Sequence, residues 1–134
     1  MKNTLLRSHS LNTDLAILIL RSLFGILFTY YGYTKIQQYD AIAPNFPDLI
    51  GIGGKLSFIL VIIAEFGGGI LIALGLFTRL ATIPIFITMI VAYFIAHAND
   101  PFTAKQIAFV YLILCPVIFL LGSGKYSLDR IIFK

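Results

Sequence analysis

Two charged side chains sit deep in apolar stretches of this chain. Arg21 lies in "LAILILRSLFG" and Glu65 in "VIIAEFGGGILIALG", each inside an otherwise mostly apolar run. An ionised group at the centre of a bilayer costs at least ~2.5–3.5 kcal/mol, so such groups face a partner or a functional site. Arg21 and Glu65 are therefore candidate catalytic residues, as an intramembrane charge pair or proton relay. Lys35, Tyr31, Tyr93, His97 and Tyr111 are candidate ligand-binding residues, a cation, an imidazole and phenols near one end of the apolar segments. An aromatic-walled pocket with a few polar groups would suit a small amphipathic head group such as a quinone. A plainer account exists for each. The charges would fix helix register, the tyrosines would anchor helix ends at the interface, His97 would cap a helix, and Cys115 would pack in the core.

Spacing shows how these groups are presented. Arg21, Gly25, Phe28, Gly32 and Lys35 recur at intervals of four, three, four and three. Glu65, Gly68, Ile72, Gly75 and Arg79 recur at three, four, three and four. Both are seams of one helix face, and small residues on such a face let backbones approach closely in a membrane. Met89, Tyr93 and His97, four apart, share a face of a third helix. Taking Asp14 and Arg79 as inner ends, Arg21 sits roughly 10 Å and Glu65 roughly 21 Å up, with Lys35 about as far above Glu65 as Arg21 is below. A direct Arg21–Glu65 pair is one of two arrangements this leaves open.

The elements that must position them are helices. With 59% hydrophobic residues, mean hydropathy +0.94, and only 10 Lys and Arg and 6 Asp and Glu in 134 residues, the chain cannot cover a soluble surface with charge. Four apolar segments, approximately 14–36, 56–78, 80–97 and 105–122, each approach the ~20 residues of a spanning helix. The expected fold is all-α, an integral membrane four-helix bundle in a single transmembrane domain, 1–134. It has short hairpins and one longer loop between helices 1 and 2. "FTRL" reads as a tight hairpin, with Pro84 in the first turn of the third helix. Pro116 predicts a kink in the fourth. "QQYDAIAPNFPDLIGIGGK" is too apolar for a simple loop, so part of it should lie in the interface or fold over the bundle.

Charge sets the expected topology. Lys2, Arg7, Arg79, Lys125, Arg130 and Lys134 fall on one side, and Lys35, Lys55 and Lys105 on the other. The positive-inside rule then puts both termini in the cytoplasm, with an uncleaved first helix, in the cell (inner) membrane. The net charge of +4 is scattered between apolar runs, which argues against nucleic acid. One cysteine excludes a dithiol mechanism within one chain. On this topology His9 and His97 lie on opposite sides and cannot jointly ligate a haem. No Gly-rich dinucleotide fingerprint occurs, and no metal centre is expected.

The runs "RSLFGILFTYYGYTKI", "EFGGGILIALGLFTRLATIPIFITMIVAYFIAH" and "GSGKYSLDR", in this order, resemble the DoxX family of small membrane proteins. The resemblance covers nearly all of the chain past residue 15. By it, Arg21, Gly25, Gly32, Lys35, Glu65, Gly69, Gly75, Thr78, His97, Ser127, Leu128 and Asp129 are family positions. Tyr31 stands where many members have His. The resemblance implies a four-helix membrane fold, and members are often labelled oxidoreductases or look like membrane partners of soluble redox enzymes. Three functions stay open at this point. One is a quinone-interacting subunit or partner of a redox or oxidative-stress system, with its electron carrier in a soluble redox enzyme. The second is a non-catalytic membrane anchor for a soluble enzyme. The third is a small proton-coupled transporter, for which a homo-oligomer would be needed to enclose a path.

Overall fold

The computed structural model describes Leu6, Ser8 and residues 11–133. Lys2, Arg7, His9 and Lys134, which entered the charge and histidine readings, lie outside the described residues. Within them all regular structure is helical, with no strand.

Helix α1, Thr13–Gln37, starts where the Asn12 side chain accepts a hydrogen bond from the Leu15 N–H at 3.0 Å, satisfying one of the orphan donors of the first turn. A short helix α2, Tyr39–Ile42, and a 3-10 turn, Ala43–Asn45, follow. This connection does fold back. Phe46 and Tyr39 lie against the fully buried Phe58 ring, with centroids 4.9 and 5.9 Å away. Helix α3, Gly54–Leu74, carries a π-helical segment at Ile63–Gly67. Helix α4, Thr78–Ala96, ends in a second one at Ala92–Ala96. Helix α5 is Gln106–Leu121 and α6 is Leu128–Ile132. Three of these, α1, α3 and α4, are long and apolar enough to cross a membrane, and α5 is a shorter apolar helix.

Hydropathy runs on past Leu74, but Gly75 ends α3. It adopts φ 75°, and the N–H groups of Gly75 and Leu76 return to the carbonyls of Ile72 and Leu71 at 3.1 and 2.9 Å. This is a Schellman stop, which only glycine adopts without strain. The Glu65 seam therefore does not continue to Arg79, which belongs to the next helix. Pro84 is not in a first turn either, because α4 already begins at Thr78. It sits inside the helix, and its missing N–H frees the Leu80 carbonyl. Pro116 likewise lies within the continuous span of α5.

Packing follows from residue size. In lipid no hydrophobic force drives helices together, so close backbone approach and van der Waals contact must do it. A Cβ on Gly25 would fall on the Ala73 backbone and the Gly69 carbonyl. One on Gly69 would fall 2.5 Å from the Thr29 amide, and one on Gly32 would lie 2.5 Å from the Phe66 amide. Helices α1 and α3 thus cross in direct backbone contact. Gly68, on the next face, packs against Ala81 and Ile85 of α4. Phe24, Phe28, Ile72, Ile85, Cys115 and Ile118, from α1, α3, α4 and α5, form one shared core. The opposite face of α1 shows Leu15, Ile19, Leu23 and Ile26 outward, a surface suited to acyl chains.

Candidate functional site

The antiparallel register of α1 on α3 decides which charges meet. Gly25 lies opposite Gly69 and Ala73, and Gly32 opposite Phe66. Continuing that register brings Lys35 beside Glu65 and Arg21 beside Gly75. The Lys35 Nζ donates to Glu65 Oε1 at 2.5 Å. The Glu65 side chain is 5% exposed and that of Lys35 29%. Glu65 sits in the π-helical segment, a distortion that re-aims side chains and recurs at functional sites.

Arg21 has other partners. Its Nη1 donates to the carbonyls of Ile72 and Ala73 at 3.0 and 2.9 Å, and Nη2 to that of Tyr126 at 2.6 Å. The Ile72 and Ala73 carbonyls lie roughly 10–12 Å along α3 from Glu65, and Tyr126 is in the connection that follows α5. The direct Arg21–Glu65 pair that the sequence left open is thus not formed. Lys35 takes its place, because α3 ends at Leu74 and the whole helix sits in a different register from one counted back from Arg79.

Lys35 and Glu65 line a cavity of about 820 Å³ between α3 and α4, roofed at one end by Phe46 and Leu49 of the folded-back connection. His97 lines the same end, its Nδ1 2.7 Å from Asp100 Oδ2. Most of the wall is aliphatic, and it includes Leu60, Ile63 and Ile87 on outward-facing positions. Ser57 is the residue that spacing did not single out. The residue lines this cavity, and its hydroxyl is buried and has no hydrogen-bond partner. The lone hydroxyl in "KLSFILVI" was the available signal.

The tyrosines are elsewhere. Tyr31 and Tyr111 share a hydrogen bond at 3.1 Å and pack edge-on against Phe28, at the α1–α5 side of the core. The Tyr93 ring lies under Lys105 Nζ, 4.3 Å from its centroid. None of the three lines the cavity, so its mostly aliphatic wall has, among the described residues, Phe46 and Phe77 as its only aromatic rings besides His97, where tyrosines were expected. Among the described residues no three His, Cys, Asp or Glu side chains gather as a metal site would require.

A second polar cluster holds the α3–α4 hairpin. Asp129 accepts from the N–H groups of Phe77 and Thr78 at 2.8 and 3.4 Å and from the Ser123 hydroxyl. Burial alone would raise its pKa. Those hydrogen bonds and the nearby Arg21 guanidinium outweigh that and hold it below the ordinary carboxylate value. Phe77 has φ 50°, an unusual conformation for an aromatic residue, and the Asp129 carboxylate holds its amide there.

Three helices of spanning length and an ion pair buried between two of them define an integral membrane protein that contacts the lipid bilayer. Residues 16–98 match the DoxX family model, and the chain belongs to the DoxX family. It is 32% identical over 125 residues to the Inner membrane protein YqjF of Escherichia coli (strain K12), covering 90% of this chain and 95% of that one. It is 31% identical over 123 residues to a Bacillus subtilis (strain 168) protein named "Putative oxidoreductase CatD", covering 90% of each. An uncharacterized membrane protein of Mycobacterium tuberculosis is 31% identical over 140 residues, covering 89% of this chain and 82% of that one. No solved structure matches the chain.

Proposed function

We propose that this chain is a quinone-interacting membrane partner of a redox system, and that the α3–α4 cavity holds the quinone ring. The observation that carries the reading is the conjunction of an unpartnered, buried Ser57 hydroxyl and the Lys35–Glu65 pair in one apolar cavity. Ser57 donates to a ring carbonyl, and its lack of a protein partner is then satisfied by ligand. Lys35 and Glu65 exchange a proton with the second ring oxygen. Arg21 is left outside the relay and holds the end of α3. Electrons come from a soluble redox partner, in keeping with the oxidoreductase name of the Bacillus relative.

The same reading takes residues 1–134 as a single transmembrane domain in which α5 also spans. Its 16 residues give roughly 24 Å, close to the hydrocarbon thickness. Both termini then face the cytoplasm, and placement in the inner membrane is in keeping with the name of the Escherichia coli relative. The test is titration of the detergent-purified protein with a short-chain benzoquinone, for wild type, Ser57→Ala and Glu65→Gln. Saturable binding weakened in both variants is the expected result. Absence of saturable binding in folded wild type would remove the reading and leave the membrane-anchor function.

A further inference from the structure

At the other end of the bundle, where α1 begins and α5 ends, lies a second cavity of about 670 Å³. We propose that it binds the phosphate of an anionic phospholipid, independently of the quinone reading. Three cations line it from three elements, namely Arg79 at the start of α4, Lys125 in the α5–α6 connection and Arg130 on α6. Among the described residues none of the three forms an ion pair; the pairs that occur are Lys35–Glu65 and His97–Asp100. Two carboxylates share the cavity, Asp14 and Asp129. Asp129 already accepts from the Ser123 hydroxyl and two backbone amides, with Arg21 nearby, and three cations face the two carboxylates. The accessible balance is positive.

Two further observations point to a ligand. The Arg79 guanidinium is held over Gly122, which has φ 75° and where a Cβ would stand 2.9 Å from Nη2. Its Nε donates to the Phe119 carbonyl at 2.8 Å, and Nη2 to that of Leu120 at 3.5 Å. A guanidinium carries five N–H groups, so a fixed fork still has donors to offer an anion. Thr78 also lines this cavity, and its fully buried hydroxyl has no partner.

The remaining wall says what the anion is attached to. Phe77, Leu80, Leu121 and Phe133 line the cavity and are themselves exposed, an apolar rim facing the bilayer. Phe77 and Leu80 also border the α3–α4 cavity, so an acyl chain leaving the basic cleft has an apolar track to follow. A basic pocket at the headgroup level with an apolar exit fits a phospholipid better than a soluble anion.

The experiment is native mass spectrometry of the full chain in detergent with equal palmitoyl-oleoyl phosphatidylglycerol and phosphatidylcholine. Wild type should retain phosphatidylglycerol in preference. Lys125→Gln and Arg130→Gln should each lower that preference about fivefold. Neither side chain donates a hydrogen bond within the described residues, so both variants should keep the wild-type Tm. Lys55→Gln, at the opposite end, should change nothing. Phosphatidylglycerol should stay bound in excess inorganic phosphate. No headgroup preference, an unchanged preference when Lys125→Gln and Arg130→Gln are combined, or displacement by inorganic phosphate would each overturn the lipid assignment.

Discussion

Arg21 and Asp129 grip opposite arms of the same helical hairpin. The guanidinium takes the last carbonyls of α3, those of Ile72 and Ala73, and the carboxylate takes the first amides before and within α4, those of Phe77 and Thr78. Helix ends leave such groups without intrahelical partners, and at a membrane boundary water cannot be relied on to supply them. The backbone N–H of Asp129 also donates to the Gly75 carbonyl at 2.9 Å, closing the clamp. Arg21, a relay candidate by sequence, holds the carbonyls that close this turn.

This clamp makes stability acid-sensitive. Asp129 has its pKa lowered in the folded protein relative to the ordinary carboxylate value of 3.8. Its contribution is therefore complete above that value and is lost as pH falls through the lower, folded-state pKa. Thermal melts of the solubilised protein on descending pH should show a Tm decline in this acid range that Asp129→Asn reduces. At neutral pH the same substitution should cost about 0.5–2 kcal/mol, as for loss of a helix cap.

The α1–α3 crossing should be intolerant of size. Gly69→Ala places a methyl 2.5 Å from the Thr29 amide, on backbone that has nowhere to go. The expected loss is about 1–3 kcal/mol, as for overpacking. Gly67→Ala, two residues away, meets nothing within 4 Å and should be neutral or mildly stabilising. Thermal stability of the two variants, measured side by side, separates packing from helix propensity.

Breaking the Lys35–Glu65 pair should cost more than deleting it. Lys35→Met leaves a carboxylate that is 5% exposed without its cation, and a loss of about 3–5 kcal/mol is expected. Adding Glu65→Gln should recover most of it. A double-variant loss equal to the sum of the two single losses in a double-mutant cycle would show that the pair is not coupled in the folded state.

The Tyr31–Tyr111 hydrogen bond, at 3.1 Å, bridges α1 and α5. Tyr31→Phe should cost about 1 kcal/mol, the usual net worth of such a bond, without changing quinone titration. A change in that titration would place the tyrosines in the ligand site after all.

Much of this protein is set by its sequence alone. Apolar runs of membrane length dictate helices and a lipid-facing surface, because no other backbone arrangement satisfies its polar groups in hydrocarbon except a closed barrel. Gly25 and Gly32 show in advance which face of α1 packs, since only residues without bulk permit that approach. The presence of charge at Arg21, Lys35 and Glu65 is equally plain. Their partners are not. Glu65 lies between two cations along the seam, and choosing Lys35 requires the α1–α3 register, which depends on where Gly75 stops α3 and on backbone contacts between residues dozens of positions apart. The Ser57 hydroxyl becomes conspicuous only once its surroundings are known to hold no partner for it. Local chemistry is written in local sequence, whereas pairing and vacancy are properties of the assembled bundle.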